Sequence, residues 1–310
     1  MSSDAPSGEQ FVLRAGEQHA TIVEVGAGIR EYTVSGRDVL DPYPLEEICD
    51  GGHGALLIPW PNRLGQGRYS FDGTERQLDL SEPARGNAIH GLMRWRNWSA
   101  QEHEAERVVM GARLHPQPGY PFALDLSVEY ALTAQGLSVA CTATNVGDSP
   151  CPYGFGQHPY LSPGHDFALD DCTFQLMATS YIELDAATLL PLAERPLEGD
   201  SILNFNRPSQ LAGRQLDAAL TGLAKDTKAR LTAPDGACIE LWADESIRVL
   251  QVFTGDTLAP PRRRRALAVE PMSCPPDAFR SGEGLVRLAP GDSHTCRWGV
   301  SLIENRHDID

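Results

Sequence analysis

Apolar residues along this chain fall in short runs that alternate with polar positions and are cut by Gly, Asp and Pro. The pattern is clearest at residues 126–133 (LSVEYALT) and 137–144 (LSVACTAT), which flank a turn at 134–136 (AQG). Strand side chains point to the two faces in turn, so two alternating runs about a short Gly-containing turn predict an antiparallel hairpin. Residues 238–242 (CIELW) and 247–254 (IRVLQVFT) predict a second such pair. Shorter strands are expected at 11–14, 20–25 and 31–34, with turns at 26–29 (GAGI) and 35–38 (SGRD).

Helix is scarce. Its best candidate is 207–223, where Leu211, Leu216, Leu220 and Leu223 loosely fit a helical stripe that Gly213 and Gly222 weaken. No repeat of fixed period, low-complexity linker or charge block divides the chain. The succession of short strands therefore predicts an all-β fold, a single large antiparallel β-sandwich domain over residues 11–305. The first ten residues, polar and acidic, are expected to be poorly ordered.

The formal net charge of −16 over 310 residues argues against nucleic acid and anionic membranes as partners, since both attract basic surfaces. One local exception is the run Arg262, Arg263, Arg264, Arg265, read as a solvated loop before a strand rather than an anion site. No apolar run approaches the roughly 20 residues needed to span a bilayer. The amino terminus has neither the basic nor the apolar region of a secretory signal, so a cytoplasmic location is expected. Seven cysteines, odd in number and without a CxxC pair, suit reduced and mostly buried thiols better than a disulfide framework or a zinc site.

Candidate chemistry gathers in four places. Residues 153–161 (YGFGQHPYL) set His158 among glycines and aromatics, and Pro159 pushes it toward extended backbone. An imidazole there suits proton transfer because its ordinary pKa lies near neutrality. Residues 266–272 (ALAVEPM) place Glu270 in apolar surroundings, as a functional carboxylate or as the partner of one of Arg262–Arg265. Residues 59–64 (PWPNRL) form a Pro-stiffened loop presenting Arg63, whose fork of donors suits ligand hydroxyls or carboxylates and a structural acid equally. Residues 88–98 (AIHGLMRWRNW) offer His90, a binding group or a satisfied loop residue, with Trp95 and Trp98 as stacking surfaces. His19, His53, His103, His115, His165, His294 and His307 are read as surface residues. No metal, nucleophile or phosphate-loop pattern appears, which leaves acid–base chemistry.

In order and spacing, GAGI, Asn62–Arg63, His90–Gly91 with Trp98, Thr144–Asn145, QHPYL (157–161), Leu216–Asp217, Val269–Glu270–Pro271 and Pro290–Gly291 resemble the aldose 1-epimerase (galactose mutarotase-like) family over nearly the full length. The resemblance implies a supersandwich that binds a pyranose across one open face, with His158 as general acid and Glu270 as general base facing each other across the sugar. It implies substrate contacts from Arg63 and His90, and it places Asn62 and Tyr160 in matching segments. Asp217 falls where sugar hydroxyls are held, but Ala218 follows it in place of the family's frequent histidine, so Asp226 is a rival. Met272 and Phe253 also depart from the residues usual in galactose-acting members, each removing a hydrogen-bonding group. The implied activity is cofactor-independent interconversion of the anomers of a free monosaccharide by a monomer or homodimer. The alternatives are a hexose-6-phosphate 1-epimerase, with Arg262–Arg265 as its phosphate site, and a non-catalytic sugar-binding protein.

Overall fold

The alternating runs at 126–144 lie in the antiparallel strands Leu124–Thr133 and Gly136–Asn145, paired from Leu124 with Asn145 to Thr133 with Gly136. Leu124, Leu126, Val128, Tyr130 and Leu132 point into the core, and the intervening residues are half-buried. The structure, a computed structural model, describes residues 5–199 and 201–303. Residues 1–4 of the N-terminus, His307 and the expected end of the domain at 304–305 lie outside the described residues. Within the segment expected to be poorly ordered, residues 5–8 make a turn closed by Gly8 N–H to Ala5 O at 2.8 Å, ahead of the strand Gln10–Ala15.

The hairpin belongs to a nine-stranded antiparallel sheet that also contains Thr227–Thr232, Cys238–Ala243 and Ser293–Ile303. A ten-stranded antiparallel sheet faces it and runs from Gln10–Ala15 through Tyr160–Leu161, Leu267–Met272, Val249–Phe253 and Asp217–Thr221 to Pro191–Pro196. Leu13, Ile22, Leu250 and Val269 from the second sheet and Val128, Leu241 and Trp298 from the first share one apolar cluster. Burying these two faces against each other is the main stabilising contribution.

Two local expectations are overturned. Residues 238–242 and 247–254 are strands but not a pair: Cys238–Ala243 lies between Thr227–Thr232 and Ser293–Ile303, whereas Val249–Phe253 lies between Asp217–Thr221 and Leu267–Met272 in the other sheet. The turn at Asp244, whose carboxylate accepts the Ser246 N–H at 3.0 Å, sends the chain across the core instead of back on itself. Residues 207–223 hold no helix. Ala212 and Gly213 take positive φ of 40° and 75°, which breaks the segment, and Asp217–Thr221 is a strand. Leu211, Leu216 and Leu220 still reach the core, so the stripe recorded burial rather than helical period. Among the described residues the only α-helix is the single turn Ala278–Ser281, and none is long and apolar enough to cross a membrane.

Candidate active site

Strand register builds the site. Tyr160 pairs with Ala268 and Leu161 with Leu267 in the middle of the ten-stranded sheet. Continuing that antiparallel register by two residues sets His158 opposite Glu270. The backbone confirms it, with Val269 N–H donating to Pro159 O and Gln157 N–H donating to Pro271 O, both at 3.2 Å. Side-chain alternation then decides the faces. Leu267 and Val269 enter the main core, while Ala268 and Met272 belong to small clusters on the other face, with Glu270 between them. Gln251 pairs with Glu270 on the next strand, and its Nε2 donates to Asp217 Oδ1 at 2.6 Å one strand further. His158, Glu270, Gln251 and Asp217 thus form a polar row across the outer face of a sheet whose inner face is apolar.

His158 Nε2 lies 3.2 Å from Glu270 Oε1, and the two side chains are only 6% and 3% exposed. Both nevertheless line an open cleft of about 530 Å³, within the size range of small-ligand pockets. The expectation that they face each other across the sugar is corrected: they stand side by side on one wall. The arrangement suits a hemiacetal, because the anomeric hydroxyl oxygen and the ring oxygen are bonded to the same carbon and present themselves as neighbours.

Segments from outside that sheet complete the lining. Asn62 turns the chain with φ of 55°, its Oδ1 accepting the Arg63 N–H at 2.8 Å and its O accepting the His90 N–H at 2.9 Å. His90 also has a positive φ of 63°, and its ring meets that of His158 edge to face at 5.6 Å. Gly91 follows it with φ of 69° because a Cβ there would stand 2.1 Å from Ile58 O. Arg63 has a structural acid as its partner and also faces the cleft. It pairs with Glu82 at 2.9 Å and lines the cleft together with Asn62, His90 and Asp217. Asp226 is exposed and away from the cleft, so Asp217 is the carboxylate placed there.

Several sequence readings are corrected here. His53 is buried, not on the surface: Nε2 lies 2.9 Å from Asp41 Oδ2, and Nδ1 lies 2.8 Å from Asp50 O. Burial alone would raise the Asp41 carboxyl, but hydrogen bonds from His53 and Arg265 hold it below its ordinary value. Tyr160 does not line the cleft. Its ring is stacked between His53 at 3.9 Å and His158 at 4.9 Å, and its hydroxyl donates to Gly51 O. It is a backing for His158 rather than a substrate contact. Trp98 is buried with its indole N–H near Met93 O, leaving Trp95, 47% exposed, as the aromatic at the rim. The Arg262–Arg265 run is neither solvated throughout nor a partner for Glu270. Arg262 is buried against Glu47, Arg264 holds Asp256 and Asp170, and Arg265 holds Asp41, so the run clamps neighbouring loops outside the cleft. Of the missed residues, Gln251 lay in a predicted strand and Glu82 in no recognised motif. Among the described residues no three His, Cys, Asp or Glu side chains are grouped to hold a metal ion.

Burial dominates the protonation of the pair. It raises the Glu270 carboxyl well above its usual value, with Asp217 adding to the rise and Arg63 opposing it. It lowers the His158 imidazole to about 3, with His53 adding to the fall. A low-dielectric site disfavours charge on both groups, so the pair holds a single proton over a wide range. Moving that proton across the 3.2 Å contact from carboxyl to imidazole gives carboxylate and imidazolium at unchanged net charge. The sign of the pH dependence follows. The acid limb, where the pair gains a second proton, lies near 3, and the alkaline limb, where it loses its only proton, lies above the ordinary carboxylate range. We expect kcat/KM not to fall between about pH 7 and about pH 5. An acid limb centred near the ordinary imidazole value in a kcat/KM profile would contradict this protonation scheme.

The family model described as Aldose 1-epimerase matches residues 9–300. The chain is 39% identical over 289 residues to a protein of Escherichia coli K12 described as the uncharacterized protein YihR, covering 93% of this chain and 91% of that one. It is 26% identical over 272 residues to the galactose mutarotase of Rattus norvegicus, covering 81% and 77% respectively. Among solved structures, a GalM/aldose epimerase homologue from C. elegans superposes with a TM-score of 0.83 at 21% identity over 96% of this chain and 99% of that one. A putative aldose 1-epimerase from E. coli K12 does so with a TM-score of 0.82 at 22% identity over 95% and 99%. The supersandwich expected from the sequence is the fold these proteins share.

Proposed function

The chain belongs to the aldose 1-epimerase family, and on that premise we propose that it interconverts the α and β anomers of a free aldohexose. The observation that carries the reading is the His158–Glu270 pair, in contact at 3.2 Å on the wall of an open cleft. With the proton on His158, the Glu270 carboxylate takes the proton of the C1 hydroxyl while the imidazolium gives its proton to the ring oxygen. The bond between C1 and the ring oxygen breaks, and the open aldehyde forms. Rotation about C1–C2 presents the other face, and reclosure with both transfers reversed delivers the other anomer. Every proton is returned, so the cycle needs no cofactor.

Each positioned acid or base contributes about 10²–10⁴-fold. Two together suffice for a reaction that already proceeds in water. His90 supports the scheme as a neutral donor or acceptor, since burial lowers its pKa well below the ordinary value, with the charge on His158 adding to the effect. In this reading Asp217 and Arg63, which line the cleft, hold hydroxyls further along the ring. Polarimetry on freshly dissolved α-glucose and α-galactose tests the proposal. Acceleration of either supports it, and sugar binding without acceleration supports the non-catalytic reading instead. Arg63→Ala is expected to raise KM by about tenfold with a smaller change in kcat, because it loses hydroxyl contacts made before and during the reaction. An unchanged KM on both sugars would remove Arg63 from the binding set.

A further inference from the structure

The cleft contains a cation that the acid–base scheme leaves idle. Three guanidinium groups line it, from Arg63, Arg85 and Arg94. Arg63 and Arg85 both lean on Glu82, at 2.9 and 3.7 Å. Arg94 has no carboxylate partner among the described residues. Its guanidinium carbon lies 5.3 Å from the centroid of the Trp95 ring. Burial holds its pKa below the ordinary guanidinium value with no carboxylate to offset the loss of hydration. A half-buried cation left unpaired in a chain of net charge −16 is costly unless a ligand supplies the counter-charge.

The loop that carries Arg94 is fixed rather than adaptable. Leu92 N–H donates to Ile58 O at 2.7 Å, and Gly26 N–H donates to Arg96 O at 2.8 Å. A Cβ at Gly26, whose φ is 74°, would stand 2.4 Å from Arg94 O, so the two backbones are in close contact. Arg94 also stands at a defined end of the cleft. It shares a small adjoining pocket with Cys49, His53 and Trp95, and the His53 ring is joined to His158 through the stacked ring of Tyr160. Its charge acts on His90 and His158, whereas that of Arg63 acts on His90, Asp217 and Glu270.

Pyranose connectivity then decides what faces Arg94. The ring oxygen joins C1 to C5, and C5 carries C6. With the C1 hydroxyl at Glu270 and the ring oxygen at His158, C5 and its C6 arm extend past His158, away from Glu270. On the His158 side the cleft lining includes Gly52, where a Cβ would stand 2.9 Å from His158 Cδ2, and Arg94 and Trp95, which adjoin His53. We infer that Arg94, with Trp95 beside it, is a subsite for an anionic group at the C6 end of an aldohexose: a carboxylate, a sulfate ester or a phosphate ester. The inference rests on the mutarotase reading for the orientation of the ring.

The test measures anomer exchange by NMR on glucose, glucuronate, glucose 6-sulfate and glucose 6-phosphate, with calorimetric binding of the same four sugars. The native protein is expected to favour at least one anionic sugar over glucose by about tenfold or more in kcat/KM, and the best anion identifies the group. In Arg94→Gln that ratio falls toward one; in Arg94→Lys, which keeps the charge, part of it returns. The preference also weakens with added salt, a readout that survives if Arg94→Gln fails to fold. Equal kcat/KM on all four sugars, or a preference that Arg94→Gln leaves intact, overturns the subsite. If no sugar is accelerated, calorimetry separates the two claims. Tighter binding of an anionic sugar that depends on Arg94 upholds the subsite while the mutarotase reading falls, and absence of that binding removes the subsite as well.

Discussion

His158→Asn and Glu270→Gln each lower kcat by at least about a hundredfold while leaving the fold intact. The loss follows from what each variant can no longer do: asparagine does not carry a proton to the ring oxygen, and glutamine does not accept one from the C1 hydroxyl. The fold survives because both replacements are neutral, polar and of similar shape at positions where burial already disfavours charge. Neither side chain contributes to the backbone pairing that fixes its strand, which runs through Tyr160–Ala268 and Leu161–Leu267. The double variant is expected to be little worse than either single one, since acid and base work as a unit and half of it is already useless. Polarimetry on fresh α-glucose or α-galactose gives the rates, and thermal melting gives the stability. Near-native rates in either single variant would take away the role assigned to that residue.

Both partners of the pair were legible in the sequence, and so was the segment that holds each. What was not legible was their contact. Alternation of apolar and polar positions says which face a side chain occupies but not which strand lies alongside. For the same reason residues 238–242 and 247–254 read as neighbours, yet they lie in opposite sheets. His53 looked like a surface histidine because its partner Asp41, just past the strand Arg37–Leu40, and the stacked ring of Tyr160 are brought to it from other parts of the chain. Leucines at 211, 216 and 220 marked a buried segment correctly and misnamed its period, because three positions cannot distinguish a helix face from strands interrupted at Gly213. Arg94 passed unnoticed for a related reason. What singles it out is that it has no carboxylate partner among the described residues, and that has no signature in a sequence rich in acids.

Gln157→Leu is expected to destabilise the protein by about 2–4 kcal/mol and to leave kcat within about tenfold of native. Gln157 precedes His158, so its side chain points away from the cleft, through the sheet and into the sandwich. There its Oε1 accepts the Trp298 indole N–H at 3.0 Å, and its Nε2 donates to the Tyr130 hydroxyl oxygen at 3.0 Å and to Gly54 O at 3.1 Å. Tyr130 and Trp298 belong to the nine-stranded sheet, so one amide joins the two halves of the sandwich directly behind the acid. Leucine fills most of the space and makes none of these bonds. Tyr130 keeps its own donation to Ala27 O, and Gly54 O keeps the Ile29 N–H, so the uncompensated loss falls on Trp298. Catalysis is largely spared because the backbone of residues 157 and 158 is held separately, to Pro271 O and Ala55 O. Since leaving one buried donor unpaired costs more than removing both partners, Trp298→Phe added to Gln157→Leu should recover part of the lost stability. Thermal melting of the native protein, both single variants and the double variant supplies the whole cycle. Additive losses, with no recovery in the double variant, would show that the amide contributes by packing and not by satisfying the indole.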